Sequence, residues 1–183
     1  VAINLAGNQT TNFLKQYAEF GLTIPVGGFG FDTALAWAAG KGNFVGTWPV
    51  VWHHLIDTPG SKAFVAAFTK KYNKPPENQA WGDYISMKIV AQTINELKSA
   101  ESPKIIEHFE KGAKFELLKT RPGYFRGSDH QLMHEMYAVT ALPADKIKNQ
   151  WDIFSSSPAV PGPTEDLEVI AATKEENSCT FPS

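Results

Sequence analysis

The feature that most constrains this chain is the order of its first fifty residues, where apolar runs alternate with amphipathic stretches across short connections. Val1 to Leu5 is apolar apart from Asn4 and stops at Ala6-Gly7, which reads as a strand handing over to a helix. Phe13, Leu14 and Tyr17 share one face of a predicted helix from Asn8, its cap, to about Phe20, with Gly21 as the stop. "LTIPV" reads as a short strand ending at Gly27-Gly28. Asp32 caps a second helix closed by Gly40, and "NFVGTWPVVW" reads as another buried strand. The expected order is β-α-β-α-β, which a parallel sheet covered by helices requires. Three strands alone make a poor core, so the remainder of the 183 residues must complete it.

From "HHLIDTPGSKAFVAAFTKKY" onward the pattern becomes helical. Asp57 or Thr58 caps a helix with Pro59 at its first position and Phe64, Val65, Phe68 and Tyr72 as its stripe. A longer helix is expected from about Gln79 to Leu97, and a third from Ser102-Pro103 to about Lys111. "KFELL" reads as a strand, "KTRPGYF" as a turn and "LMHEMYAVTAL" as one strand. Past Pro143 the Pro- and Ser-rich composition predicts irregular structure, with a short helix capped by Thr164.

Composition excludes several classes. A formal net charge of -2 gives nucleic acid no electrostatic footprint, and no apolar stretch approaches the roughly 18 residues that span a bilayer. No secretory leader pattern is present. The one cysteine, Cys179, reads either as a free thiol in a tail or as half of a disulfide with polypeptide outside this chain.

Catalytic and metal motifs fail on spacing. His130 and His134 lack the H-E-x-x-H order, and in a strand they would stand roughly 13 Å apart, too far to share an ion. No serine lies in G-x-S-x-G. "GGFGF" lacks both the G-x-G-x-x-G spacing and the G-K-[ST] ending of nucleotide loops. The sequence therefore predicts no enzyme, no metal site and no cofactor. What remains are two strand-to-helix corners, "AGNQT" and "GGFGFD", at the sheet end where open α/β folds collect ligands. Asn8 and Asp32 there read equally as helix caps or as ligand contacts.

The stretches "LAGNQTTNFLKQYAEFGLTIPVGGFGF", "VGTWPVVWHHLIDTPGSKAFVAAFTKKYNKPPENQAWGDYISMKIVAQTI" and "ESPKIIEHFEKG" together resemble the C-terminal half of a type I periplasmic binding protein, in the branch that binds leucine, isoleucine and valine or amides for ABC importers. The resemblance covers residues 1 to about 142. It implies an α/β fold of Rossmann-like three-layer lobes, with residues 1–50 ending lobe two, 51–118 returning to lobe one, and 119–183 crossing back and ending in a tail. It further implies that the first half of such a protein is absent from this chain, and that the functional partners are that half, a small-molecule ligand and an inner-membrane ABC permease. The place would be the periplasm, without membrane insertion.

Carried over by position, the ligand-binding residues implied are Ala6, Gly7 and Asn8 in the first corner, Phe29, Gly30 and Phe31 in the second, and Gln79 and Trp81 on the long helix. Amino-acid binders of this family place a carboxylate in the second corner to pair with the ligand ammonium, and this sequence has Gly30 there. The expected ligand is thus a carboxylate, aromatic acid or amide, trapped between lobes by hinge closure. Two other readings share the sequence: a ligand-sensing regulatory domain of the same fold, and a small α/β enzyme.

Overall fold

The computed structural model describes residues 1–29 and 31–181. Its elements run β1 (Ala2–Ile3), α1 (Asn8–Glu19), β2 (Gly27–Gly28), α2 (Thr33–Ala39), β3 (Thr47–Val50), α3 (Pro59–Tyr72), α4 (Asn78–Leu97), α5 (Ser102–Glu110), β4 (Lys114–Phe115), β5 (Gly123–Phe125), β6 (Leu132–Met133), β7 (Tyr137–Ala141) and β8 (Phe154–Ser156), with 3₁₀ turns at Ala144–Lys146 and Leu167–Ile170. The architecture is mixed α/β, but the parallel sheet expected over the first fifty residues is confined to β1 and β2, because β3 pairs antiparallel with β7 from much later in the chain.

Two groups of elements pack on a shared core. In the first, β1 and β2 pair in parallel, and β3, β7 and β8 form an antiparallel sheet in that order. The two ladders meet where the Thr47 N–H donates to the Val26 carbonyl at 3.0 Å. Gly28 permits a close approach here, since a Cβ would come 2.9 Å from the Trp48 ring and closer still to the Ile3 carbonyl. In the second group, β4, β5 and β6 form an antiparallel sheet beside α4 and α5.

The helix signals hold at their physical causes. Thr58 caps α3 by accepting from the Ser61 N–H, and Asp32 caps α2 by accepting from Ala34. Asn8 does not cap α1. Gly7 holds that position at φ 53°, leaving Asn8 inside the first turn without a side-chain cap bond. "LTIPV" is loop except for its contact with the ladder: Pro25 has no N–H to give, and Leu22 and Ile24 are exposed. The "KTRPGYF" turn yields β5 at its end, and Asp166 rather than Thr164 caps the last 3₁₀ turn.

The expected single strand "LMHEMYAVTAL" is two strands in different sheets. Its period-two register continues through the break, burying Met133, Glu135, Tyr137 and Val139. At Glu135 the buried side is a carboxylate, and the chain leaves one sheet for the other over His134–Met136. The passage is braced by a bridge in which Met136 and Val160 exchange backbone hydrogen bonds of 2.6 and 2.8 Å.

Urea denaturation of two alanine variants checks the packing. Gly28→Ala should lose about 1–3 kcal/mol, because the methyl meets backbone. Gly82→Ala, in the interior of α4 with nothing within 4 Å of the added carbon, should gain about 0.5–1 kcal/mol of helix propensity.

Candidate binding cleft

A cleft of about 440 Å³ opens between Phe31 after β2, Pro49 and Val51 at the end of β3, Met136 in the passage between sheets, and the first turns of α4, which supply Asn78, Gln79, Trp81, Gly82 and Asp83. The volume suits a small organic molecule. A hollow of about 540 Å³ lies elsewhere, under the tail beside Lys114, Arg121 and Tyr124. The Arg121 guanidinium there is already spent on the Glu165 and Pro161 carbonyls at 2.6 and 3.0 Å. The cleft is the better candidate because it lies beside the corner that follows parallel strand β2, the position where α/β folds bind.

Of the residues implied by position, the cleft brings together Phe31, Gln79 and Trp81. Phe31 is buried and stacks on Phe44 and Trp48 with centroids 5.3 and 5.4 Å apart, so it forms wall rather than a free contact. Ala6, Gly7 and Asn8 sit exposed at the first corner and do not line it. Phe29 is 71% exposed and also lies outside the lining. Gly30 falls outside the described residues.

Asn78 was not among the expected residues, yet it clasps the cleft. Its Oδ1 accepts from the Thr33 N–H at 3.0 Å and the Thr33 hydroxyl at 3.2 Å, while its Nδ2 donates to the Phe31 carbonyl at 3.2 Å. The side chain thereby fixes the second corner to the start of α4. An Asn at a helix start reads from sequence as an ordinary terminal residue, which conceals this long-range role. Asp32 is engaged locally instead. Burial pushes its carboxyl up against the lowering effect of the Ala34 N–H, with Glu77 adding to the rise, and its oxygen is committed to the α2 cap.

Behind the Trp81 wall lies a buried polar cluster. Glu135, 1% exposed, accepts from the Thr120 N–H (2.7 Å), the Thr120 hydroxyl (2.6 Å) and the Tyr137 hydroxyl (2.7 Å), with the Arg121 Nε at 3.6 Å. Burial pushes this carboxyl up, but the hydrogen bonds from Thr120 and Tyr137 together with the Lys119 charge outweigh it and hold it below the usual range. Lys119, 5% exposed, places Nζ 2.5 Å from the Glu135 carbonyl, 2.7 Å from His134 Nδ1 and 4.8 Å from the Trp81 ring centroid. The Trp81 indole donates to the Leu117 carbonyl at 2.8 Å. Glu135 was legible in principle, since strict alternation through Met133, Tyr137 and Val139 places a charge on the buried face.

His130 and His134 are separated in role as well as space: His130 Nε2 lies 2.8 Å from Glu110, whereas His134 faces Lys119. Among the described residues no group of three or more His, Cys, Asp or Glu side chains is placed to hold a metal ion, and no helix is long and apolar enough to cross a membrane.

The family model described as periplasmic binding protein matches residues 1–146, and the chain belongs to that family. Among solved structures, a periplasmic binding protein of Burkholderia mallei superposes with TM-score 0.81 at 22% identity, covering 97% of this chain and 46% of its own. A branched-chain amino acid ABC transporter periplasmic ligand-binding protein of Burkholderia xenovorans gives 0.72 at 26% identity, covering 86% and 42%. A solute-binding protein of an ABC transporter from Rhodopseudomonas palustris, in complex with 3,4-dihydroxybenzoic acid, gives 0.70 at 22% identity, covering 88% and 46%. This chain thus spans less than half the length of these structures. A comparison with curated proteins returns no match.

Two measurements check the site's construction. Asn78→Ala strands the buried Thr33 N–H and should cost about 1–3 kcal/mol in urea denaturation. His53, buried with neither ring nitrogen hydrogen-bonded, is pushed down to about 4 by burial, with His54 and Lys119 adding to the shift. As pH falls from 6.5 towards 4 the unfolded chain takes up a proton that the folded chain refuses. The urea midpoint should therefore drop between pH 7 and pH 4.5, and His53→Phe should flatten that slope.

Proposed function

We propose that this chain forms part of an extracytoplasmic solute-binding protein of an ABC importer, working in the periplasm with a membrane permease and trapping a small organic ligand between two lobes. Residues 1–50 would belong to one lobe and 51–118 to the other. The change of sheet at His134–Met136 supports a crossing back within the segment that follows Lys119. The observation that carries this reading is the cleft itself, which joins the Phe31 corner to the start of α4 at the ligand-binding end of the fold. Family membership supports it. The residues of the relatives that this chain does not span would complete the cleft.

The walls favour a ligand with an apolar or aromatic body and without a free α-amino group: a carboxylate, an aromatic acid or an amide. Phe31, Pro49, Val51, Trp81 and Met136 supply the apolar surface, and Asn78 and Gln79 the hydrogen-bonding groups. A ligand ammonium buried at the second corner would lack a free counter-charge there, which is costly by several kcal/mol, because Asp32 is engaged as a cap. One observation favours the opposite reading: Asp83, exposed at the cleft, offers a carboxylate to an amine.

Calorimetric titration of the protein from its natural host with sodium benzoate, benzamide and L-leucine separates the two. Benzoate or benzamide should bind at least about tenfold tighter than leucine, a difference of about 1.4 kcal/mol, and Trp81→Ala should weaken that binding by a similar factor. Tightest binding by leucine, lost in Asp83→Asn, would establish the amine reading instead.

A further inference from the structure

The buried cluster behind Trp81 connects both passages between the sheets. Lys119 follows β4. His134 and Glu135 form the second passage and Tyr137 opens β7. Tyr137 in turn packs edge-on against His53, from the first passage after β3, with centroids 5.1 Å apart. The groups facing the Lys119 amine are therefore His134 and the Glu135 carbonyl at hydrogen-bond distance, the rings of Trp81 and Tyr137 at 4.8 and 5.7 Å, and the charges or titratable groups of Glu135, His53 and, through Glu135, Arg121. His134 Nδ1 lies 2.7 Å from the amine and 2.8 Å from the Glu135 carbonyl. It accepts from a lysine N–H when the histidine proton is on Nε2, and donates when the proton is on Nδ1. With the histidine proton on Nδ1, only the neutral amine can accept from it, because an ammonium has no lone pair.

We propose that Lys119 is a pH-sensitive positioning residue for the cleft wall: as a neutral amine it packs Trp81 against the His134–Tyr137 passage, and on gaining a proton it moves towards water and loosens that wall. This rests on reading the cleft as the ligand site. The direction follows from linkage. Burial pushes the Lys119 ammonium down to about 7, against an ordinary 10.5 and in spite of Glu135, so the packed arrangement binds its proton less tightly than a hydrated one and is favoured as pH rises above 7. His53 and His134, each pushed down to about 4 chiefly by burial, stay neutral across pH 6 to 8.5 and do not supply the transition.

Amide-type hydrogen exchange of the Trp81 indole N–H, followed by NMR on the nitrogen-15-labelled chain and corrected for base catalysis, tests the proposal. The signal is assigned by its loss in Trp81→Phe. Between pH 8.5 and pH 6 the loosened population should rise roughly thirtyfold, the ratio that proton affinities of about 7 packed and 10.5 hydrated require. Lys119→Met, neutral at all pH, should keep the indole protected at both values, and Lys119→Arg, always charged, should expose it at both. A flat profile in the wild-type chain overturns the proposal, as does the wild-type profile persisting in Lys119→Met. Should Lys119→Arg fail to fold by circular dichroism, the other two profiles still decide. Adding sodium benzoate to the same sample addresses the ligand reading separately: an indole signal unmoved by benzoate while its pH dependence persists counts against the ligand, not against Lys119.

Discussion

A carboxylate buried where the chain changes sheets is the constraint on which the rest of this structure turns. Glu135 sits in strand register, so the alternation that buries Met133 and Tyr137 carries its charge inward as well. An uncompensated charge there would cost several kcal/mol. The fold answers with two donors from Thr120, a third from Tyr137 and the Arg121 side chain nearby. Those partners come from the connection between β4 and β5 and from β7, so satisfying one carboxylate ties the two sheets together. Removing any single donor would leave a buried carboxylate oxygen short of a hydrogen bond.

The cleft inherits its shape from that knot. Trp81 is held by the Leu117 carbonyl on one side and by the Lys119 amine over its ring, and Met136, the neighbour of Glu135, lines the same space. Asn78 closes the opposite edge by satisfying Thr33 and the Phe31 carbonyl. Both clasps join residues far apart in sequence, so the geometry of the cleft is set by long-range contacts between two groups of elements.

Much of the fold was legible. The helix caps at Asp32 and Thr58, the proline at the start of α3 and the glycine-marked ends of the early elements are local signals, because each depends on hydrogen bonds within a few residues. Legibility failed where a local signal competed with a distant partner. Asn8 has the right chemistry for a cap, but the chain enters α1 one residue earlier, through Gly7 at positive φ, and leaves Asn8 inside the first turn. "LMHEMYAVTAL" has one unbroken period, and nothing in that period says that its two halves pair with different strands. The candidate site divides the same way: Phe31, Gln79 and Trp81 meet in the cleft, while Ala6, Gly7, Asn8 and Phe29 occupy exposed positions outside it.

The sequence by itself therefore determined the α/β class, the β-α-β-α-β order of its first fifty residues, the three helices that follow, the low net charge, the lack of an apolar run long enough to span a bilayer, and the family resemblance, since all of these are carried by periodicity, composition and neighbouring residues. Only the tertiary structure decided which strands share a sheet, that Asn78 clasps the second corner, and that Lys119 lies against Trp81 beside a buried Glu135. The Asn78 and Lys119–Glu135 contacts rest on hydrogen bonds between residues 15 to 47 positions apart, and the β3–β7 ladder joins residues farther apart still. Their partners are selected by three-dimensional packing and by the cost of leaving a buried polar group alone.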